Sequence, residues 1–199
     1  MQSSRLLWLS VGALWLALLT WGWHVLLRHE FTPGSSGQVS ERWPRDSRMS
    51  LASERPTLVL FAHRNCPCTR ATLQELEQTL LQTGERARVF IVLLTPEDAA
   101  TDRVGGDIEE RARSLSGGEV AIDPKGIEAR RFRIRTSGHV LLYGADGRLL
   151  FSGGITDSRG HLGESVGSRA LLAHLRGDES TQKIVPVFGC PLFADDVEE

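Results

Sequence analysis

The chain has 199 residues, of which 41% are hydrophobic and 24% charged, with a formal net charge of -2. That leaves room for one globular domain beside a membrane segment rather than for two domains, and without a Lys/Arg run or basic-aromatic interleaving nothing in it asks for nucleic acid. Three cysteines are too few to staple a small fold and odd in number, so they read as reactive or metal-binding thiols rather than a structural framework.

Residues 6–27, LLWLSVGALWLALLTWGWHVLL, contain no Asp, Glu, Lys or Arg. As a helix this run spans roughly 33 Å, against a bilayer core of about 30 Å. Trp21 and Trp23 lie near one end, where indole rings favour the headgroup layer, and Arg5 and Arg28 flank the run. A cleaved signal peptide would have an apolar stretch of about 7–15 residues ending in a small-residue site. The run here is longer and no such site follows, so residues 1–28 are expected to be a single-pass membrane anchor. Counting Lys and Arg alone, with Arg28, Arg42, Arg45 and Arg48 downstream, would keep the following domain in the cytoplasm. A five-residue head before a long domain is the layout of an uncleaved export signal, and the expectation is an extracytoplasmic, periplasmic domain.

Residues 29–55 hold Pro33-Gly34-Ser35-Ser36-Gly37 and mixed charges with few aliphatics, the composition of a linker. The folded domain, with a C-terminal extension, is expected over residues 56–193. Thr57 to Ala62 (TLVLFA) reads as a buried strand. After Cys66-Pro67-Cys68, the positions Ala71, Leu73, Leu76, Leu80 and Leu81 recur at helical spacing. Ala87 to Leu94 reads as a second buried strand. Residues 96–115 divide into a loop and a helix, GDIEERARSL. Glu119 to Ile122 reads as a short strand, and Pro124 is expected to open a short helix reaching Phe132. Val140 to Tyr143 and Arg148 to Ser152, turning at Asp146-Gly147, read as a β-hairpin. A glycine-rich loop follows, and Ser168 to Arg176 closes the domain as a helix. Two strands joined by a helix demand a right-handed parallel unit. With the antiparallel hairpin, the result is an α/β mixed sheet with helices on both faces.

Cys66 stands where a helix begins. The unpaired N–H groups and the dipole there favour a thiolate, so Cys66 is expected to be the more reactive cysteine. Pro67 suits the first turn, where its missing N–H costs nothing. Cys68, in the same turn, is close enough to resolve a mixed disulfide on Cys66.

FAHRNCPCTRATLQEL and VLLYGADGRLLFSGG, a buried strand ending in a cysteine pair and a closing hairpin, resemble the thioredoxin-like superfamily over about residues 56–176. More narrowly, CPCTRATLQEL, TSGHVLLY, SGGITDSRGHLG and VPVFGCPL are similar to the RedB-like bacterial group. The resemblance implies a thioredoxin-like fold and disulfide exchange with protein thiols or disulfides. Two departures bear on chemistry. One residue, not two, separates the cysteines, so their disulfide ring is smaller and strained, which makes a disulfide more oxidising. The family's cis-proline before the hairpin is missing, and Gly138 or Ser137 stands at its position. In the family that proline keeps metal off the thiols, so its absence favours a metal-binding reading.

His63 ends the first strand three residues before Cys66 and is a candidate modulator or ligand. His139 begins a strand and reads as structural. The loop carrying Arg159 and His161 should land at the active end of the sheet, since the hairpin runs away from that end and returns; both are candidate modulators. Asp123, Glu109 and Glu110 read as solvated charges, and Gly153-Gly154 lacks the spacing of a phosphate loop. Cys190 lies in VPVFGCPL, an apolar stretch where a disordered tail would be polar. The tail from Gly177 can extend up to about 45 Å, enough to return Cys190 to the pair as a third redox thiol or a ligand; the alternative, which the sequence favours slightly, is a buried or lone thiol that only anchors the tail.

The leading function is therefore thiol–disulfide oxidoreductase chemistry on Cys66 and Cys68 without a cofactor. The alternatives are a Cu(I) or other soft-metal chaperone or sensor with Cys66, Cys68 and Cys190, His161 or His63 as ligands, and a partner-binding domain without catalysis. The anchor reading predicts that residues 6–27 persist on the mature protein. N-terminal sequencing of membrane-extracted protein checks this, and a mature terminus between about residues 28 and 40 overturns it.

Overall fold

The computed structural model describes residues 2–35, 37–64, 66–84, 86–95, 106–115, 117–178 and 182–193. The chain divides into two compact units, residues 1–32 and 33–199. The first is a single helix, α1 (Gln2–Phe31), whose stretch from Arg5 to Phe31 is long and apolar enough to cross a membrane. Its large apolar side chains are exposed in the chain by itself, and a helix apolar on all sides has no face suited to water.

The second unit is built on β1 (Thr57–His63), whose residues are buried except for half-buried His63. A run of six apolar and β-branched residues without alternation makes sense only where both faces of a strand are covered. β1 is the central strand: it pairs in parallel with β2 (Arg88–Thr95) and antiparallel with β4 (His139–Tyr143). β3 (Gly118–Pro124) adds in parallel to β2, and β5 (Leu149–Gly153) antiparallel to β4, giving the order β3-β2-β1-β4-β5. Helices α2 (Cys68–Thr83), α3 (Gly106–Ser114), α4 (Ile127–Arg131) and α5 (Val166–Arg176) complete the unit. On one face Leu58, Leu60 and Ala62 of β1 join a core with Leu73 and Leu76 of α2 and Leu171 of α5. On the other, Val59 and Phe61 meet Phe132, Leu141 and Tyr143. This is the thioredoxin-like mixed sheet, flanked by helices, that the strand and helix pattern led us to expect. The loop read over 96–105 lies outside the described residues.

Two helix starts differ from the sequence reading, each for a local reason. Pro124 ends β3 instead of opening a helix, and α4 starts at Ile127. The Asp123 carboxylate accepts the backbone N–H groups of Glu128 and Ala129, each at 3.0 Å, and so supplies the acceptors that the orphan donors of that helix need. Asp123 is accordingly buried, not solvated as read. Glu109 is half-buried and pairs with Arg64 and Arg113, whereas Glu110 is exposed as expected. α5 starts two residues earlier than read because Ser165 and Ser168 form a reciprocal capping box. His139 is structural: it is buried, its Nε2 lies 2.8 Å from Ser152 Oγ, and burial pulls its pKa down to about 4.

The stretch read as a linker is held along the domain from residue 33 onward. The Gly34 N–H donates to Val187 O (2.8 Å), Trp43 N–H to Gly147 O (2.9 Å) and Leu149 N–H to Glu41 O (2.9 Å). The Tyr143 hydroxyl donates to Ser40 O at 2.8 Å. Trp43 meets Phe132 and Tyr143 edge-on with ring centroids 5.1 and 5.3 Å away, and Met49 is buried in the same core. Composition misses this because a few aromatic and sulfur side chains do the anchoring within a polar stretch. Trp43→Ala is expected to lower the unfolding free energy by about 2 kcal/mol. Denaturant titration of the detergent-solubilised chain checks it; a loss below about 0.5 kcal/mol, the ordinary surface range, would show that Trp43 does not anchor this stretch.

Candidate functional site: three convergent thiols

Beyond β1 the backbone turns at once. The Cys66 N–H donates to His63 O (3.1 Å), Thr69 N–H to Cys66 O (3.0 Å) and Arg70 N–H to Pro67 O (3.3 Å). Pro67, with φ -62° and ψ -28°, is the N-cap and Cys68 the first residue of α2, so Cys66 stands just ahead of the helix. Cys66 is 2% exposed, while Cys68 and Cys190 are half-buried.

Cys190 reaches them because the C-terminal segment pairs with the approach to β4. The Ser137 N–H donates to Cys190 O (2.8 Å) and Leu192 N–H to Arg135 O (2.7 Å). Gly189 permits this contact: a Cβ there would lie 1.8 Å from Ser137 O, a separation no side chain could occupy. Ser137 also ties in the end of β1. Its hydroxyl accepts the His63 N–H at 2.9 Å and lies 3.3 Å from the Thr69 hydroxyl, which donates to His63 O at 3.2 Å. Gly138, with φ +88°, turns the chain into β4 in a conformation that favours glycine, and its N–H donates to Phe61 O at 2.8 Å. The Arg159 guanidinium donates to Gly189 O.

The outcome is that the Sγ atoms of Cys66, Cys68 and Cys190 all lie within 4.8 Å of one another, with Cys66 Sγ and Cys190 Sγ 3.1 Å apart. All three cysteines are free. Negative charge in this trio settles on Cys66. Hydrogen bonds to its sulfur, first from the Cys190 thiol, then from the Cys68 thiol, and from the backbone N–H groups of both, hold its pKa far below the ordinary thiol value and outweigh burial. The Cys68 thiol is pushed strongly up, because its proton is shared with Cys190 and Cys66 and because it is partly buried. Cys190 is pushed up by its bond to Cys66, with the Arg159 charge acting in the opposite direction.

Of the residues singled out from sequence, Cys66, Cys68 and Cys190 come together, and Arg159 adjoins them. His63 is half-buried beside them. Burial lowers its pKa, and the Cys66 charge partly restores it. His161 does not join the sulfurs: it is exposed, since the turn closed by its N–H on Ser158 O (3.4 Å) leaves it at the surface of the same loop that brings Arg159 inward. Among the described residues the group of metal-type donors is the three cysteines alone, so neither His161 nor His63 is a member. Sequence reasoning did not assign Ser137 and Thr69, which lock the strand, helix and tail together. The missing proline in TSGH marked their neighbourhood without showing the hydrogen bonds.

No family model and no curated protein matches the chain. Solved structures do. An uncharacterized conserved protein from Geobacillus kaustophilus is 16% identical, with a TM-score of 0.58 over 81% of this chain and 92% of that one. A hypothetical protein from Sinorhizobium meliloti 1021 is 20% identical, with a TM-score of 0.54 over 82% and 96%. At these identities the likeness shows the fold.

The hydrogen-bonded trio predicts one thiolate that persists well below pH 8.5, the ordinary cysteine value. Titration by ultraviolet thiolate absorbance should show this first step, its loss in Cys66→Ser, and its movement to higher pH in Cys190→Ala, which removes the leading donor. A first step at or above the ordinary value in the wild type would contradict the arrangement.

Proposed function

We propose that the chain is a membrane-anchored thiol–disulfide oxidoreductase-like protein whose domain works outside the cytoplasm, exchanging disulfides with protein partners through Cys66, with Cys68 and Cys190 as the two neighbouring thiols able to resolve the exchange. The observation that carries this reading is three free thiols with their sulfurs within 4.8 Å of one another, Cys66 buried and Cys68 and Cys190 more open to solvent, an arrangement in which charge is favoured on Cys66. A thiolate is the attacking species in disulfide exchange, and a second thiol at contact distance is what releases a mixed disulfide. His63 and Arg159 tune the charge of this group, and Gly138 shapes the backbone beside it. A domain serving only to bind a partner has no use for such a thiolate. The RedB-like resemblance fits the same reading: CPCTRATLQEL carries Cys66 and Cys68, TSGHVLLY carries Ser137 and Gly138, SGGITDSRGHLG carries Arg159, and VPVFGCPL carries Cys190. Those four separated segments are the ones that meet at the sulfurs.

One observation favours a second reading. Three sulfurs within 4.8 Å match a trigonal soft-metal site, in which metal–sulfur bonds of about 2.3 Å set the sulfurs about 4 Å apart. Cys66, Cys68 and Cys190 would hold Cu(I) as cargo, and the two raised thiols would have to release protons as it bound.

The deciding experiment uses protein purified under reducing, metal-free conditions. Disulfide-exchange turnover and Cu(I) affinity are measured on the same preparation. Turnover that falls by about two orders of magnitude in Cys66→Ser supports the oxidoreductase. Tight Cu(I) binding with no turnover in either direction overturns it in favour of metal handling.

A further inference from the structure

Cys66 has a sulfur contact from a distant part of the chain. Cys190, 124 residues away, has its sulfur 3.1 Å from that of Cys66. The two candidate disulfides differ in what must move. Cys66 and Cys68 flank Pro67, whose φ is fixed by its ring, and Cys68 already belongs to α2. Bonding them closes a ring around one residue and works against the first turn of that helix. Cys190 follows Gly189 in an irregular segment outside any strand or helix, so the approach from 3.1 Å to a bonded distance of about 2.05 Å asks for a shift of about 1 Å and breaks no helical turn. The segment is seated for the purpose, through the Ser137 N–H on Cys190 O and through Arg159 on Gly189 O. The Arg159 charge offsets only part of the upward push that the bond to Cys66 puts on the Cys190 thiol.

We propose that Cys190, not Cys68, is the resolving thiol, so that the oxidised protein carries a Cys66–Cys190 disulfide fastening the C-terminal segment to the start of α2, with Cys68 left as a free thiol. The inference rests on the exchange reading above. In the step, the Cys66 thiolate attacks one sulfur of a partner's disulfide. The partner's S–S bond breaks, its other sulfur leaves as a thiolate, and the attacked sulfur stays on Cys66 as a mixed disulfide. Cys190, giving up its proton, attacks the Cys66 sulfur. The mixed disulfide breaks, the partner's second sulfur leaves, and the Cys66–Cys190 bond forms. Two electrons pass from the two protein sulfurs to the partner, which departs as two thiols after taking up the Cys190 proton and one from water. Cys68 stays reduced, and as the thiol of the trio that is not consumed it remains in place to donate to whichever sulfur carries charge. Arg159 is a positioning residue here, acting through Gly189 and Cys190.

Peptide mapping tests this on the full-length protein in detergent. The chain is equilibrated with a small-molecule disulfide, its free thiols are alkylated, and it is digested with trypsin without reduction. Cleavage after Arg64, Arg70 and Lys183 puts Cys66 and Cys68 on one peptide, residues 65–70, and Cys190 on another, residues 184–199. The expected product is the two peptides linked, with one alkyl group on Cys68. The link should persist in Cys68→Ser and disappear in Cys66→Ser. An internal disulfide within residues 65–70 together with alkylated Cys190, or a link through Cys68, overturns the inference and leaves the exchange reading standing. Three alkylated cysteines under every oxidising condition overturn both. The wild-type map alone separates these outcomes, so the conclusion does not depend on a variant folding.

Discussion

The hydrogen bond from the Ser137 N–H to the Cys190 carbonyl is the contact on which the sulfur cluster depends, because it is where the last segment of the chain meets the approach to β4, beside the end of the central strand. Ser137 closes the end of β1 through His63 and touches Thr69 in the first turn of α2. One residue thereby fixes three things: the strand that aims the chain at the site, the helix that carries Cys68, and the segment that carries Cys190. None of these is an apolar contact. The core below supplies the rigid base, with Leu58, Leu60, Val59 and Phe61 filling both faces of β1, but the register of the sulfurs is set by polar backbone groups at its rim. The absence of a side chain at Gly189 is what lets those groups come within bonding distance.

Charge and access fall on different sulfurs. The helix start favours a thiolate on Cys66, yet Cys66 is buried and its thiolate is held mainly by two other sulfurs. A group hydrogen-bonded in this way is well stabilised in its charged form and poorly exposed to indiscriminate reagents. The open positions belong to Cys68 and Cys190, whose protons are held more tightly. Arg159 offsets part of that on the Cys190 side only, so the two thiols that flank Cys66 are not equivalent although both touch it.

Much of this was legible in the sequence. The unbroken apolar run of β1, the helical spacing of Leu73 and Leu76 and the Asp146-Gly147 turn are short-range signals, and each yields its element within a residue or two. The Cys66-Pro67-Cys68 motif marked the site, and the apolar character of the segment around Cys190 pointed to a returning tail. What composition hid depends on single side chains meeting at long range. Trp43 and Met49 convert an apparent linker into part of the domain. Asp123 looks like a surface charge until its carboxylate is seen holding two N–H groups of α4. His161 and Arg159 sit two residues apart in one loop, and only the turn at Ser158 decides which faces the sulfurs.

The separation of Cys66 and Cys190 along the chain has a consequence for the order in which the protein is made. Synthesis is vectorial, and domains fold as their segments emerge, at about 5–20 residues per second. For the time needed to add the 124 residues between them, on the order of ten seconds, the growing chain holds Cys66 and Cys68 without their third neighbour. β1, α2 and β2 can associate in that interval, because their contacts lie early in the sequence. The sulfur cluster is therefore the last feature to mature, and a newly made chain passes through a two-thiol state, chemically distinct from the finished one, before its C-terminal segment docks.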